Sequence, residues 1–327
     1  MIKQLLPCLF AALMLITGCE SDSDPAPSIQ KTCKIISIHS TYINSDGSKD
    51  TSTITHEYDT QNRLIAINDI RNSSKTESTY NSEDFLTEQR SIKNGQIVNV
   101  TSYEYVQGKL HKTTITSKEN GQKYRTELVY AMDGYLVSSI SQDSITFSDG
   151  TLQIYTDTTV YTFTNGKLTG KIQKEGNSTH TTIIETNERG FVTKEIGQDN
   201  NSSLNGNKDI YIYDGEGQLI RREHYSNEEL TQYDTYEYDD KENAANILYS
   251  SPKGHPTFRI YYGFQVHNMT KHAKYFLNLN SKVMEQTYVE TYEYEYDTEG
   301  YPKQRTGTVL SRGKTTKFTA LYTFNCQ

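Results

Sequence analysis

From Tyr58 to the end of this chain one phrase returns roughly every 25 residues: an aromatic residue closes an alternating segment, a short polar turn follows, and Gly-x-Leu opens the next segment. The clearest copies are Tyr103-Glu104-Tyr105 before Gly108-Lys109-Leu110, Tyr130 before Gly134-Tyr135-Leu136, Tyr161-Thr162-Phe163 before Gly166-Lys167-Leu168, and Tyr211-Ile212-Tyr213 before Gly217-Gln218-Leu219. A repeat of this length restricts the chain to an array of small units, each burying its apolar face against the next.

The aromatic before each turn serves as an anchor: Tyr58, Tyr80, Tyr105, Tyr130, Phe163, Tyr213, Tyr238, Tyr296 and Phe324, with Thr186 in one slot and Tyr262 in a degenerate one. Longer spacings before Phe163 and before Tyr296 read as insertions, one around Asp149-Gly150 and the other around Asn278-Leu279-Asn280. Between anchors lies a second turn signal, for example Lys93-Asn94-Gly95 and Glu119-Asn120-Gly121, and Asn-Gly favours the type I′ turn of a tight hairpin. Each unit therefore holds two strands. In Tyr292-Glu293-Tyr294-Glu295-Tyr296 a period of two sends the rings to one face and the carboxylates to the other. About ten units give on the order of twenty strands, too many for an open twisted sheet. The expected fold is all-β: a long antiparallel meander of tandem β-hairpins, coiled into a solenoid-like or barrel-like sheet over residues 31–327. With 26 tyrosines and no tryptophan, Tyr has to supply much of the buried area.

The first eighteen residues read as a lipoprotein signal peptide, ending Leu15-Ile16-Thr17-Gly18 before Cys19, with an apolar run shorter than the about 20 residues of a spanning helix. Cys19 is the lipidation site, so the first partner is outer-membrane lipid held through the acylated N-terminus. Residues 19–30 form an acidic tether, and Glu20, Asp22 and Asp24 resemble the export segment of Bacteroidetes surface lipoproteins; this implies the cell surface, with the periplasmic face as the alternative. With Cys8 in the signal and Cys19 acylated, Cys33 and Cys326 remain as a disulfide candidate in an oxidising envelope, two free thiols being the alternative.

Tyr213-Asp214-Gly215-Glu216-Gly217, Tyr58-Asp59-Thr60-Gln61-Asn62 and Tyr296-Asp297-Thr298-Glu299-Gly300 resemble the Tyr-Asp (YD) repeat of Rhs and teneurin-type proteins. With the lipobox, the chain is similar to the uncharacterised YD-repeat-like surface lipoproteins of Bacteroidetes. The Rhs shells wind such repeats around a cargo, which implies a longer array than this one.

Reactive chemistry is sparse. The histidines show no metal spacing, His267 and His272 being five apart, so no metal and no cofactor is expected. Glu293 and Glu295 have a spacing near that of glycosidase carboxylates, but any outward strand face shows the same. The oxygen-rich run Asp199 to Asp209 departs from the EF-hand pattern. No catalytic residue is nominated and no enzyme activity is expected. A net charge of −8 disfavours nucleic acid. The leading expectation is a binding or scaffold module for an unknown protein or glycan, with Phe258, Tyr261, Tyr262 and Phe264 as a possible binding surface. The alternatives are a purely structural envelope lipoprotein and, less favoured, a hidden hydrolase.

Overall fold

The computed structural model describes residues 33–118, 122–131, 136–146, 151–165, 167–199, 206–242, 253 and 267–326. These form β1 (Cys33–Ile43), β2 (Lys49–Tyr58), β3 (Leu64–Asp69), β4 (Ser74–Tyr80), β5 (Leu86–Lys93), β6 (Gln96–Val106), β7 (Lys109–Ser117), β8 (Lys123–Tyr130), β9 (Leu136–Thr146) and β10 (Leu152–Thr164). They continue as β11 (Lys167–Glu175), β12 (Ser178–Thr186), β13 (Val192–Asp199), β14 (Lys208–Tyr213), β15 (Leu219–Ser226), β16 (Glu229–Glu242), β17 (His267–Leu277), β18 (Met284–Tyr296), β19 (Pro302–Ser311) and β20 (Lys314–Cys326). Among the described residues there is no helix.

Each strand pairs antiparallel with its neighbours in the chain, and β20 returns to pair with β1 from Cys33↔Cys326 to Ile43↔Lys317. The meander is thus a closed barrel of twenty strands, and closure removes the unpaired edges that an open array would present. Cys33 and Cys326 are disulfide-bonded across this seam, with Cα atoms 4.0 Å apart and 293 residues between them in sequence.

The repeat acquires a physical content here. Every even-numbered strand carries an anchor position at or near its C-terminal end, and the ladder slips by one residue at that point, as between Glu57 and Tyr58, Thr79 and Tyr80, Glu104 and Tyr105, and Ile212 and Tyr213. The bulge turns the anchor ring back over the preceding hairpin, and in five units its hydroxyl donates to a backbone carbonyl one unit earlier, while Tyr296 donates to the Asp239 carboxylate instead. Tyr58 reaches Ile35 O (3.1 Å), Tyr80 Leu64 O (3.0 Å), Tyr105 Leu86 O (2.8 Å), Tyr213 Val192 O (2.7 Å) and Tyr238 Leu219 O (2.7 Å). A net of about 1 kcal/mol per such bond explains why the slot prefers Tyr to Phe.

Where the residue after the anchor is Asp or Asn, it caps the turn. Asp59 Oδ1 accepts from the amides of Gln61 and Arg63, Asp214 Oδ1 from Glu216, Gly217 and Gln218, and Asp297 Oδ1 from Glu299 and Tyr301. Asn81 and Asn187 do the same after Tyr80 and Thr186, so the Tyr-Asp signature extends to Tyr-Asn and Thr-Asn copies. Gly217 is required within its turn: φ is +94°, and a Cβ would lie 2.6 Å from the Phe191 ring. At the opposite end the hairpins turn through pairs with positive φ, such as Asn94-Gly95 and Arg312-Gly313.

Two of the expectations about spacing are corrected. Asn278 to Asn280 belong to the turn joining β17 and β18, and the additional residues lie between β16 and β17 instead, over 243–266. Tyr262, the degenerate anchor candidate, lies outside the described residues. The longer spacing before Phe163 is taken up largely by extended strands, β9 and β10 having 11 and 13 residues.

Burial distinguishes the two faces of the wall. Residues in phase with the anchors form the packed clusters, Leu168, Ile184, Val192 and Tyr211 in one and Leu110, Leu128 and Leu136 in the other. The other face leaves Val129, Val160, Ile183, Ile212, Leu310 and Leu321 exposed. The anchor face therefore lines the concave interior. Substantial contacts between strands are confined to neighbours in the ring, so opposite walls stand apart, as in barrels wide enough to hold water.

Candidate functional site

The barrel has two chemically different ends and two chemically different inner walls. Its aromatic end carries the anchor rings, the Asx turns and the Cys33–Cys326 seam, and its hairpin end carries the tight turns. Within the segment between β16 and β17 only Lys253 is described. Its Nζ donates to Glu83 O at 2.9 Å and lies 4.7 Å from the centroid of the Phe85 ring, in the turn between β4 and β5. In a ring of twenty, β5 is about as far from β16 as the closure allows, so Lys253 stands on the side of the aromatic end opposite β16.

Away from the anchors, the inner wall over β4 to β8 is neutral. Its rows run Thr76↔Ser91↔Asn99, Ser78↔Gln89↔Thr101 and Tyr103↔Thr113↔Thr126. Over β14 to β19 the corresponding rows are charged. Asp209 pairs in register with His224, Arg222 with Asp234, Asp234 with Lys274 and Lys274 with Tyr288; the next row runs Tyr236↔His272↔Glu290.

His272 is the centre of this wall. Its Nε2 lies 2.9 Å from Asp234 Oδ1 and its Nδ1 3.0 Å from Glu290 Oε1. Carboxylates only accept, so both ring nitrogens carry protons and the ring is an imidazolium. Tyr236 stacks on it with centroids 4.8 Å apart and planes 12° apart, and Tyr288 meets it edge-on at 5.6 Å. Burial works against the charge on His272, but the hydrogen bonds to Asp234 and Glu290 outweigh it and raise the pKa above the usual histidine value. Burial likewise opposes ionisation of Glu290, yet hydrogen bonds from His272, Tyr292 and Tyr288 hold its carboxyl down to about 2. Asp234 is lowered against its own burial by His272 and Gln232. Charge is buried here and fully paired.

Beside this cluster, towards the hairpin end, a cavity of 600 Å³ opens, lined by His272, Lys274, Phe276, Thr287, Tyr288, Glu290, Ser311 and Arg312. The Lys274 ammonium stands 3.9 Å from Asp234 Oδ1. Arg312 occupies the β19–β20 turn and is exposed. Phe276 is 43% exposed, a bare ring beside an open space.

The outer wall is laced with ion pairs: Glu104 with Lys112, Lys194 with Glu185 and Lys271 with Glu237 in register across strands, and Arg125 with Glu127 two residues along β8. Glu293 and Glu295 lie on this face, exposed and apart from the inner cluster. His267 is also separate from His272, its Nε2 lying 2.8 Å from Glu216 Oε2. Cys19 and the aromatic group Phe258, Tyr261, Tyr262 and Phe264 lie outside the described residues. No motif or spacing in the sequence singles out Asp234, His272 and Glu290 as a group. The available signal is phase: Asp234 lies four residues before Tyr238, where the units of Tyr80, Tyr105, Tyr130, Phe163 and Thr186 place Thr, and Glu290 lies six residues before Tyr296, likewise at an even offset.

No protein-family model and no curated protein matches the chain. Solved structures similar in fold include a porin-like protein from Bacteroides uniformis, 17% identical with a TM-score of 0.37, the match covering 89% of this chain and 98% of that one. A porin-like protein from Bacteroides vulgatus is 10% identical with a TM-score of 0.33 over 89% and 98% of the two chains. The Tc holotoxin pore of Photorhabdus luminescens is 14% identical with a TM-score of 0.25, covering 86% of this chain and 18% of that chain.

Proposed function

We propose that this is a lipid-anchored barrel of the bacterial envelope that binds its ligand within the lumen, against the charged inner wall of β14 to β19. The observation that carries the reading is the 600 Å³ cavity beside the His272 cluster, of a size that takes small ligands or the end of a larger one. Binding is favoured over catalysis because the ionised groups are committed. A general acid or base needs a pKa near the working pH, whereas Glu290 is held to about 2 and both nitrogens of His272 are occupied.

The outer wall fits anchoring by lipid rather than embedding of the strands, since a lipid-facing barrel presents a continuous apolar band, whereas here that face carries charged pairs, Arg125–Glu127 near the middle of β8 and others beside the anchors. On the lipobox reading the tether from Cys19 joins β1 at the aromatic end, so that end would face the bilayer and the hairpin end, with its cavity, would face away.

The test uses the full-length lipoprotein in detergent, titrated against saccharide and peptide libraries, beside a Ser311→Trp variant that fills the cavity. Binders that lose affinity for the variant support a luminal site; binding that persists unchanged would move the function off the inner wall. Protease shaving of intact cells separates the surface from the periplasmic face.

A further inference from the structure

Which ligand the cavity takes follows from what its lining still has to offer, an argument that rests on the luminal reading above. Among the described residues of the lining Glu290 is the only carboxylate, and its oxygens already accept from His272 Nδ1 at 3.0 Å and from the Tyr288 hydroxyl at 2.7 Å, with Tyr292 also bonded to it. A carboxylate has roughly four acceptor sites, so little capacity remains. His272 has no N–H left to give. The remaining polar groups are the Lys274 ammonium, the Arg312 guanidinium and the hydroxyls of Thr287 and Ser311. No ion pair of Arg312 occurs among the described residues, and the one carboxylate near Lys274 is Asp234, at 3.9 Å and already bonded to His272 and to Gln232 Nε2. The cavity is therefore rich in donors and in positive charge, within a chain whose net charge is −8. Its remaining surface is aromatic, from Phe276 and Tyr288.

We infer that this cavity binds a carboxylated saccharide, of uronic-acid type. The carboxylate would take the Lys274 and Arg312 donors, the hydroxyls would meet Thr287 and Ser311, and the apolar face of the ring would lie on Phe276 and Tyr288. Neutral sugars lack the acceptor charge that matches the two cations. Nucleotides and phosphopeptides carry more negative charge than two exposed cations beside Asp234 can compensate.

Isothermal titration of the full-length protein with methyl β-D-glucuronide, methyl β-D-glucoside and cyclohexanecarboxylate tests this. The glucuronide is expected to bind about tenfold or more tightly than either of the others, because each lacks one half of the recognised chemistry, and its affinity is expected to fall as salt rises. Lys274→Gln with Arg312→Gln should weaken the glucuronide by about tenfold or more and leave the glucoside unchanged. Both positions are solvent-exposed enough for the variant to keep its fold, which circular dichroism would verify, and Phe276→Ala provides a second variant acting through stacking alone. Equal binding of glucoside and glucuronide, or of cyclohexanecarboxylate and glucuronide, overturns the inference, as does an unaffected Lys274/Arg312 variant. No binding of the glucuronide also overturns it; the luminal reading then survives if a library ligand is still displaced by Ser311→Trp, and falls with it if none is.

Discussion

The inner walls over β4 to β8 and over β14 to β19 are built by the same backbone rule and filled with different chemistry. Each has bulges before its anchors and tyrosines latched one unit back, Tyr80 and Tyr105 on the first and Tyr213 and Tyr238 on the second. They diverge two or more residues below the anchor. There the first wall places groups that satisfy one another across the ladder, such as Gln89 Nε2 to Ser78 Oγ at 3.2 Å, while the second buries Asp234, His272 and Glu290. Small neutral polar groups cost little to place along a wet lumen, whereas buried ions are tolerated only when each is paired. The repeat thus secures the barrel everywhere, and the strip of charge is an addition to one side of it.

The largest expected effect concerns what the walls share. Reducing the Cys33–Cys326 disulfide releases a closed loop spanning nearly the whole domain, for which chain entropy alone gives about 5–6 kcal/mol. The C33A/C326A variant should therefore unfold at much lower denaturant, with hydrogen exchange rising first along β1 and β20. An unchanged midpoint would show that pairing of those strands suffices to hold the seam.

Next comes the wall-specific contrast. His272→Leu strands two buried carboxylates and is expected to cost about 3–5 kcal/mol, whereas Gln89→Leu on the neutral wall should cost about 1 kcal/mol. Urea midpoints of the two variants compare them directly, and equal costs would mean that the charged cluster is solvated rather than buried. Replacing Asp234, His272 and Glu290 together by apolar residues should recover much of the loss.

Acidity should separate the walls in the same way. The Glu290 pKa is depressed from 4.5 to about 2, so its contribution is complete above about 4.5 and disappears as pH falls towards 2. His272 is raised, so its contribution is present below the unfolded value of 6.5 and is lost as pH rises through its folded value. Maximal stability of β16 to β18 therefore lies between those limits, with a loss of about 3 kcal/mol on the acid side. Amide exchange followed by pH in β17 and β5 would show this loss in β17 alone if the cluster is responsible.

The smallest effect is the latch. Tyr105→Phe and Tyr238→Phe should each cost about 1 kcal/mol, alike on both walls, because each leaves one backbone carbonyl without its hydroxyl. A cost confined to Tyr238 would show that the latch depends on the charged wall around it.

Much of the architecture was legible in the residues. Tyr292-Glu293-Tyr294-Glu295-Tyr296 announces its two faces by alternation alone, and exposed carboxylates beside half-buried rings are what the strand shows. Asn81 and Asn187 are harder to read, because a Tyr-Asp pattern leaves them out while the turn needs only a short side chain with an acceptor oxygen. The displaced insertion has a similar cause: spacing alone carries no information about which pair of strands the additional residues join.

What the sequence determined by itself is local. Period-two alternation, the anchor before each turn and the turn residues act within one hairpin, and repetition carries them along the chain. The tertiary structure decided that the ring closes at twenty strands, which side of the wall is concave, and that Asp234, His272 and Glu290 meet across three strands. Those outcomes depend on register and curvature summed over many hairpins. A single strand fixes only which side chains share a face, and which of them become neighbours is set by the slip at each bulge between it and the next.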